Sequence, residues 1–151
     1  MSTPLSEHFC LEEMTRSQTA LRQGIDNTPT EGIVANLTRL CETLLEPARA
    51  LLGEPFHVDS GYRCVALNEA VGGAKSSAHM TGRAADIIPQ GLDLHAAFDK
   101  LRLSDLPYDQ IIIECGAWLH LAVAVEGEQP RRMALTASGG PGDWHYVEVL
   151  Q

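Results

Sequence analysis

The chain has 151 residues, 11 basic and 20 acidic, a formal net charge of -9 and 44% apolar side chains. That length supports one packed core and excludes a catalytic domain joined to a substantial second module. The acidic balance excludes electrostatic binding to nucleic acid, which needs clustered Lys and Arg against the phosphates.

The chain opens without the basic start and apolar stretch of a secretory signal, since Met1 to Ser6 is short and polar, so it is expected to be cytoplasmic as synthesised. Residues 10 to 16 read as a short turn and 17 to 24 as a short helix, with Thr15 or Ser17 as cap, and Asp26 to Pro29 breaks what precedes. From Thr30 the apolar positions Ile33, Val34, Leu37, Leu40, Leu44, Leu45 and Ala48 recur at helical spacing up to Gly53, predicting a long core helix. Pro47 lies inside it and lacks the N–H of a regular turn, which predicts a kink.

Pro55 to Ser60 alternates as a strand, Gly61 turns the chain, and a short helix follows over Ala66 to Val71. Residues 72 to 78 form a Gly/Ser-rich loop, Ala84 to Pro89 a strand and Leu92 to Leu103 a helix. Tyr108 to Cys115 and Trp118 to Val125 read as paired strands around Gly116. The segment from Met133 to Gly142 has no clear period, and Gly139, Gly140 and Gly142 mark a loop before a last strand, His145 to Val149. The Pro130-Arg131-Arg132 patch reads as a solvated turn. No apolar run approaches the roughly 20 residues of a membrane helix. Cys10, Cys41, Cys64 and Cys115 lie far apart without a CxxC pair, as reduced, core-filling cysteines do. Together these elements predict an α+β fold, helices packed on a small antiparallel sheet, in a single domain over residues 1–151.

Chemistry concentrates in SAHMTGRAAD, residues 77 to 86, where His79 and Asp86 flank Gly82, and in WLHLAV, where His120 follows far downstream. Each residue alone is unremarkable as a surface or core polar group. Two imidazoles and one carboxylate together are a common protein ligand set for catalytic zinc, which leaves the fourth position open, whereas structural zinc is closed by four protein ligands. Gly82 permits a sharp reversal between His79 and Asp86, and Ala84 and Ala85 leave little bulk beside them.

This SxHxxGxAxD pattern is preceded by SGYRC (Ser60 to Cys64), Asn68 and VGGA (Val71 to Ala74), and followed by YDQIIIE (Tyr108 to Glu114) and WLH (Trp118 to His120). With them the chain resembles the zinc D-Ala-D-Ala carboxypeptidase family (peptidase M15), most closely its short phage and prophage branch. The segments His8 to Pro29 and Asn36 to Arg49 share the likeness. The resemblance implies a fold like that of the hedgehog and D-Ala-D-Ala peptidases, zinc on His79, Asp86 and His120, and hydrolysis of peptidoglycan stem peptides by a carboxypeptidase or an endolysin-type endopeptidase. The protein would then reach the cell wall on release, in a phage or prophage setting. The rival expectation is a zinc-binding module that recognises protein without cutting, as hedgehog domains do, or a phage structural component.

A zinc peptidase needs a base for the water proton, and Glu114 is the candidate. If Cys115, Gly116 and Ala117 form the hairpin loop, Glu114 faces Trp118 and shares a sheet face with His120; a two-residue loop would turn it to the opposite face. Relatives often carry a glutamate three residues before the last histidine, where this chain has Ala117, so either Glu114 serves from a differently shaped hairpin or the base is missing. The resemblance also implies that Arg63 points into the cleft, where a guanidinium can hold a carboxylate or an oxyanion. Ser77 is expected to bind substrate or orient His79, and Trp118 to form an apolar wall. His145 is left outside the metal set.

Overall fold

The computed structural model describes residues 2–149, and its first elements are helices stitched to the core by turn chemistry. Residues 10 to 16, expected as a turn, contain α1 (Leu11–Thr15), which holds Met14 fully buried. The Ser17 hydroxyl accepts from the Ala20 N–H and caps α2 (Gln18–Gln23). Thr30 caps α3 (Glu31–Leu40), which runs through a π turn (Cys41–Leu45) into α4 (Glu46–Leu52) and stops at Gly53. The kink expected at Pro47 therefore takes the form of a wide turn just before it, with the Glu46 N–H reaching back to the Cys41 carbonyl. A proline cannot continue the regular ladder, and a π turn absorbs the mismatch without breaking the rod. Short α5 (Val65–Ala70) and α6 (Leu94–Arg102) complete the helices.

Among the described residues six strands form one sheet: β1 (Phe56–Ser60), β2 (Ala84–Pro89), β3 (Gln110–Glu114), β4 (Trp118–Ala122), β5 (Met133–Gly140) and β6 (Asp143–Glu148), in the order β1-β2-β4-β3-β5-β6. The fold is α+β as expected, with one parallel pair, β3 with β5, in an otherwise antiparallel sheet. Two sequence expectations are corrected here. The segment from Met133, which showed no clear period and whose glycines were expected to form a loop, is the eight-residue strand β5; Gly139 and Gly140 sit only at its far end, where Gly139 has φ 96°. The Arg131-Arg132 patch is a clamp rather than a solvated turn. Arg131 grips the buried Asp109 carboxylate through its backbone N–H (2.9 Å) and guanidinium (2.7 Å), and Arg132 stacks over the Tyr108 ring at 4.4 Å. These contacts tie the start of β5 to the start of β3, which sets the parallel register.

Alternation along the strands gives the sheet two unlike faces. Ala85, Ile87, Leu119, Leu121, Ile111, Ile113 and Ala134 share a core with Leu37, Leu40, Leu44 and Leu45 of the helical rod and Phe98 and Leu101 of α6. Asp86, His120, Ile112, Glu114, Leu135 and Ala137 occupy the other face, where Ile112, Leu135 and Ala137 form a small separate cluster with Met133 and Trp144.

Candidate metal centre and its cleft

Asp86 and His120 stand directly opposite each other on the paired strands β2 and β4. His79 comes from a 3₁₀ turn, Ala78–Thr81, started by the Ser77 hydroxyl, which accepts from the His79 N–H at 3.2 Å, and ended by Gly82 at φ 72°. That left-handed residue suits glycine, and a Cβ there would also press on the Ile33 carbonyl at 3.0 Å. The turn is further held by the Arg63 N–H, which donates to the His79 carbonyl at 3.1 Å.

The three side chains converge. His79 Nε2 lies 3.1 Å from Asp86 Oδ1, His120 Nδ1 lies 3.2 Å from the same oxygen, and the two nitrogens are 3.2 Å apart. Ligands about 2.0–2.1 Å from a tetrahedral ion stand roughly 3.3 Å from one another, so this is the spacing of three of its corners. His79 Nδ1 is 2.7 Å from the Gly61 carbonyl; a carbonyl only accepts, so Nδ1 carries the proton and Nε2 turns a lone pair inward. A lone pair, a carboxylate oxygen and a second imidazole nitrogen meeting at 2%, 5% and 6% residue exposure call for a shared cation. The set fits a metal ion.

The charge states agree with that fit. Burial pushes His79 down, toward neutral imidazole, against the opposing pull of Asp86. Burial would raise Asp86, but its contacts with the two imidazoles, a hydrogen bond from His120 among them, hold it well below the usual carboxylate range. Neutral imidazole and ionised carboxylate are the forms that bind metal.

All three residues open onto a cleft of about 1390 Å³, larger than the roughly 300–1,000 Å³ of small-molecule pockets and of a size for a peptide segment. The polar face of the sheet is its floor. The β3–β4 hairpin has the three-residue loop Cys115 to Ala117, with φ 52° at Cys115 and 62° at Gly116. Glu114 therefore pairs with Trp118 and Ile112 with His120, so Glu114 and His120 share the cleft face as diagonal neighbours. The Trp118 indole N–H donates to Glu114 Oε2 at 2.8 Å. Trp118, expected only as an apolar wall, thus also orients a carboxylate. Burial, then the nearby Asp86 charge, raises Glu114 above its ordinary value, opposed by His120, the Trp118 bond and Arg63.

Arg63 lines the same cleft with its guanidinium partly buried, and burial lowers its affinity for a proton despite the nearby Asp86 and Glu114 carboxylates. Its Nη2 lies 3.5 Å from the Ser77 hydroxyl, and its Nε has no partner among the described residues. Ser77 therefore touches both the His79 turn and Arg63. His145 is apart from this group, exposed on β6 with Asp143 3.3 Å away.

Three supporting residues escaped the sequence reading. Gly61 does more than turn the chain: its carbonyl fixes the His79 tautomer, and a Cβ there would lie 2.3 Å from the Met14 carbonyl of α1. Gly73 passes so close that a Cβ would meet Asn68 Oδ1 at 2.2 Å and Arg63 Nη2 at 3.3 Å; VGGA marked the spot but not the reason. Asn27, in the arm read as structural, donates to the Tyr62 carbonyl (3.0 Å) and accepts from the Cys64 N–H (2.8 Å), bracketing Arg63.

A family model described as peptidase M15 matches residues 7–122, from the N-terminal arm to the end of β4. A search of curated proteins finds no match.

Proposed function

The chain belongs to the peptidase M15 family, and from that premise we propose that it is a zinc-dependent metallopeptidase acting on the stem peptides of bacterial peptidoglycan. The observation that carries the reading is the convergence of His79, Asp86 and His120 within 3.2 Å on the floor of a peptide-sized cleft, with a carboxylate on the same sheet face. A zinc ion held by these three residues would supply Lewis acidity, acidifying water and polarising the scissile carbonyl.

The chain's own groups supply the rest. Glu114 takes a proton from the attacking water at a carboxylate oxygen and returns it to the leaving amine, and its raised proton affinity suits both transfers. Trp118 holds that carboxylate in place. Arg63, which has no carboxylate partner within ion-pair distance among the described residues, stabilises negative charge on the substrate, either the developing oxyanion or a peptide carboxylate. Ser77 fixes Arg63 relative to His79. The single sheet that carries both the matched segment and the strands beyond it supports one catalytic unit over residues 1–151. No helix among the described residues is long and apolar enough to cross a membrane, and release of the protein from a lysed cell, as with a phage or prophage lysin, would bring it to the wall.

The test has two parts. Elemental analysis is expected to find about one zinc per chain, and incubation with purified wall and defined stem peptides is expected to release fragments of defined mass. Retained zinc with no cleavage of any wall peptide would favour the non-catalytic recognition module instead.

A further inference from the structure

Asn68 and Gly73 have no task in the triad or the base, yet both press on the site. Asn68 sits on α5 at 3% exposure, as deeply buried as the metal-site histidines. Its Nδ2 donates to the Ala74 carbonyl at 2.9 Å, and its backbone carbonyl accepts from the Gly73 N–H at 2.9 Å, so this residue closes the loop that leads from α5 toward the His79 turn. Its Oδ1 has no partner among the described residues. A buried acceptor left unmet destabilises a fold, so this oxygen calls for a donor.

The donor stands across Gly73. The position that a Gly73 Cβ would take is 2.2 Å from Asn68 Oδ1 and 3.3 Å from Arg63 Nη2, so the amide oxygen and the guanidinium both lean on the bare side of that glycine. Gly73 does not have the positive φ of its neighbour Gly72, and close approach rather than backbone angle is what asks for glycine there. Arg63 Nε is also buried without a partner among the described residues, and its Nη2 reaches the Ser77 hydroxyl only at 3.5 Å. An unmet acceptor thus lies beside unmet donors. The loop between them is pinned from outside: the Trp144 indole N–H donates to the Gly72 carbonyl at 3.3 Å, and a Cβ on Gly72 would lie 2.4 Å from the Pro141 ring.

Resting on the peptidase reading, we infer that Asn68 is a positioning residue for Arg63: its Oδ1 accepts from the buried side of the guanidinium, past the bare Gly73, and so aims the remaining N–H groups at the charge that develops on substrate. A neutral acceptor suits this task. A carboxylate in the same place would form an ion pair and draw off the charge that Arg63 offers to an oxyanion, whereas an amide fixes the plane of the guanidinium and leaves its charge intact. Asn68 acts only through Arg63, and that dependence is what separates positioning from loop stability.

The experiment is a double-mutant cycle. Asn68→Ala and the near-isosteric Asn68→Asp are each made in the wild-type and Arg63→Ala backgrounds, and kcat and KM on a defined stem peptide are measured with bound zinc and denaturant unfolding. In parallel, a phosphinate peptide, whose oxygens imitate the tetrahedral addition product, is titrated calorimetrically into the same zinc-loaded proteins. Asn68→Ala is expected to lower kcat/KM by about tenfold or more at unchanged zinc content, as loss of a hydrogen bond to a charged group does. Asn68→Asp, which keeps an oxygen at the same place and serves if the alanine variant does not fold, is expected to lower kcat by capturing the guanidinium. Both losses are expected to vanish in the Arg63→Ala background, since residues that act as one unit are not additive. Equal losses in the two backgrounds, or Asn68 variants as active as wild type, overturn the inference and leave the peptidase reading standing. No cleavage by wild type, with phosphinate binding that depends on Asn68 only when Arg63 is present, sinks the peptidase reading and keeps the positioning role. Neither cleavage nor binding overturns both.

Discussion

The two halves of the sheet are held in opposite ways. β2, β4 and β3 are enclosed on both sides: Ile87, Leu119, Leu121, Ile111 and Ile113 press on the helices, and even the polar Asp86 and His120 on the cleft face are 5% and 6% exposed. β6 lies at the sheet edge with Tyr146 and Val147 at 45% and 64% exposure, anchored mainly through its pairing with β5 and the Trp144 and Pro141 contacts to Gly72. Metal ligands tolerate only a few tenths of an ångström of error, so they belong on strands fixed from both faces. An edge strand held by so few contacts has lower local stability than the enclosed strands and can differ while they stay put.

The strongest way to break this contrast is at the ligands. His79→Ala, Asp86→Ala and His120→Ala are each expected to lose bound zinc and reduce peptide cleavage to background, read by elemental analysis and product mass; wild-type zinc in all three variants overturns the assignment. Next, Glu114→Gln keeps zinc and fold while lowering kcat by about 10²–10⁴, the usual contribution of a positioned general base. Its failure to change the rate moves the base elsewhere. Because burial and Asp86 raise Glu114 above its ordinary 4.5, its working form, the carboxylate, is lost as pH falls through a value higher than that. The acid limb of kcat/KM in wild type is therefore expected above pH 4.5, and a limb at or below it argues against Glu114 as base.

Stability measurements sharpen the comparison at smaller scale. Ile113→Ala, in the core under the site, is expected to cost about 2–5 kcal/mol in denaturant unfolding, while Val147→Ala on the exposed edge strand stays within about 0.5 kcal/mol. Similar losses at both positions would mean that the hairpin is as integral to the fold as the ligand-bearing strands.

The cluster of His79, Asp86 and His120 was legible in the sequence because a metal site would need those side chains, and Gly82 has a backbone reason to stand between the first two. The long helix was legible for a similar reason, since its apolar positions recur at the period of one element. Strand β5 was not. Gly139, Gly140 and Gly142 read as a loop, yet the strand begins well before them, and its parallel pairing with β3 is set by the Asp109 and Arg131 clamp, two residues far apart in the chain.

Glu114 shows the division most clearly. By itself the sequence determined its chemistry, a carboxylate at the end of an apolar strand a few residues before a histidine, and reduced its placement to two outcomes that differ by one residue of loop. Only the tertiary structure decided between them, because strand alternation reverses the facing of every side chain with a one-residue slip, and the loop length depends on φ values at Cys115 and Gly116 that residue types permit but do not compel. The Gly61 carbonyl that fixes His79, the indole that holds Glu114 and the hairpin that closes the cleft have the same origin. Each is a contact between segments distant in sequence, made by a backbone group or a common side chain whose identity carries no trace of its partner.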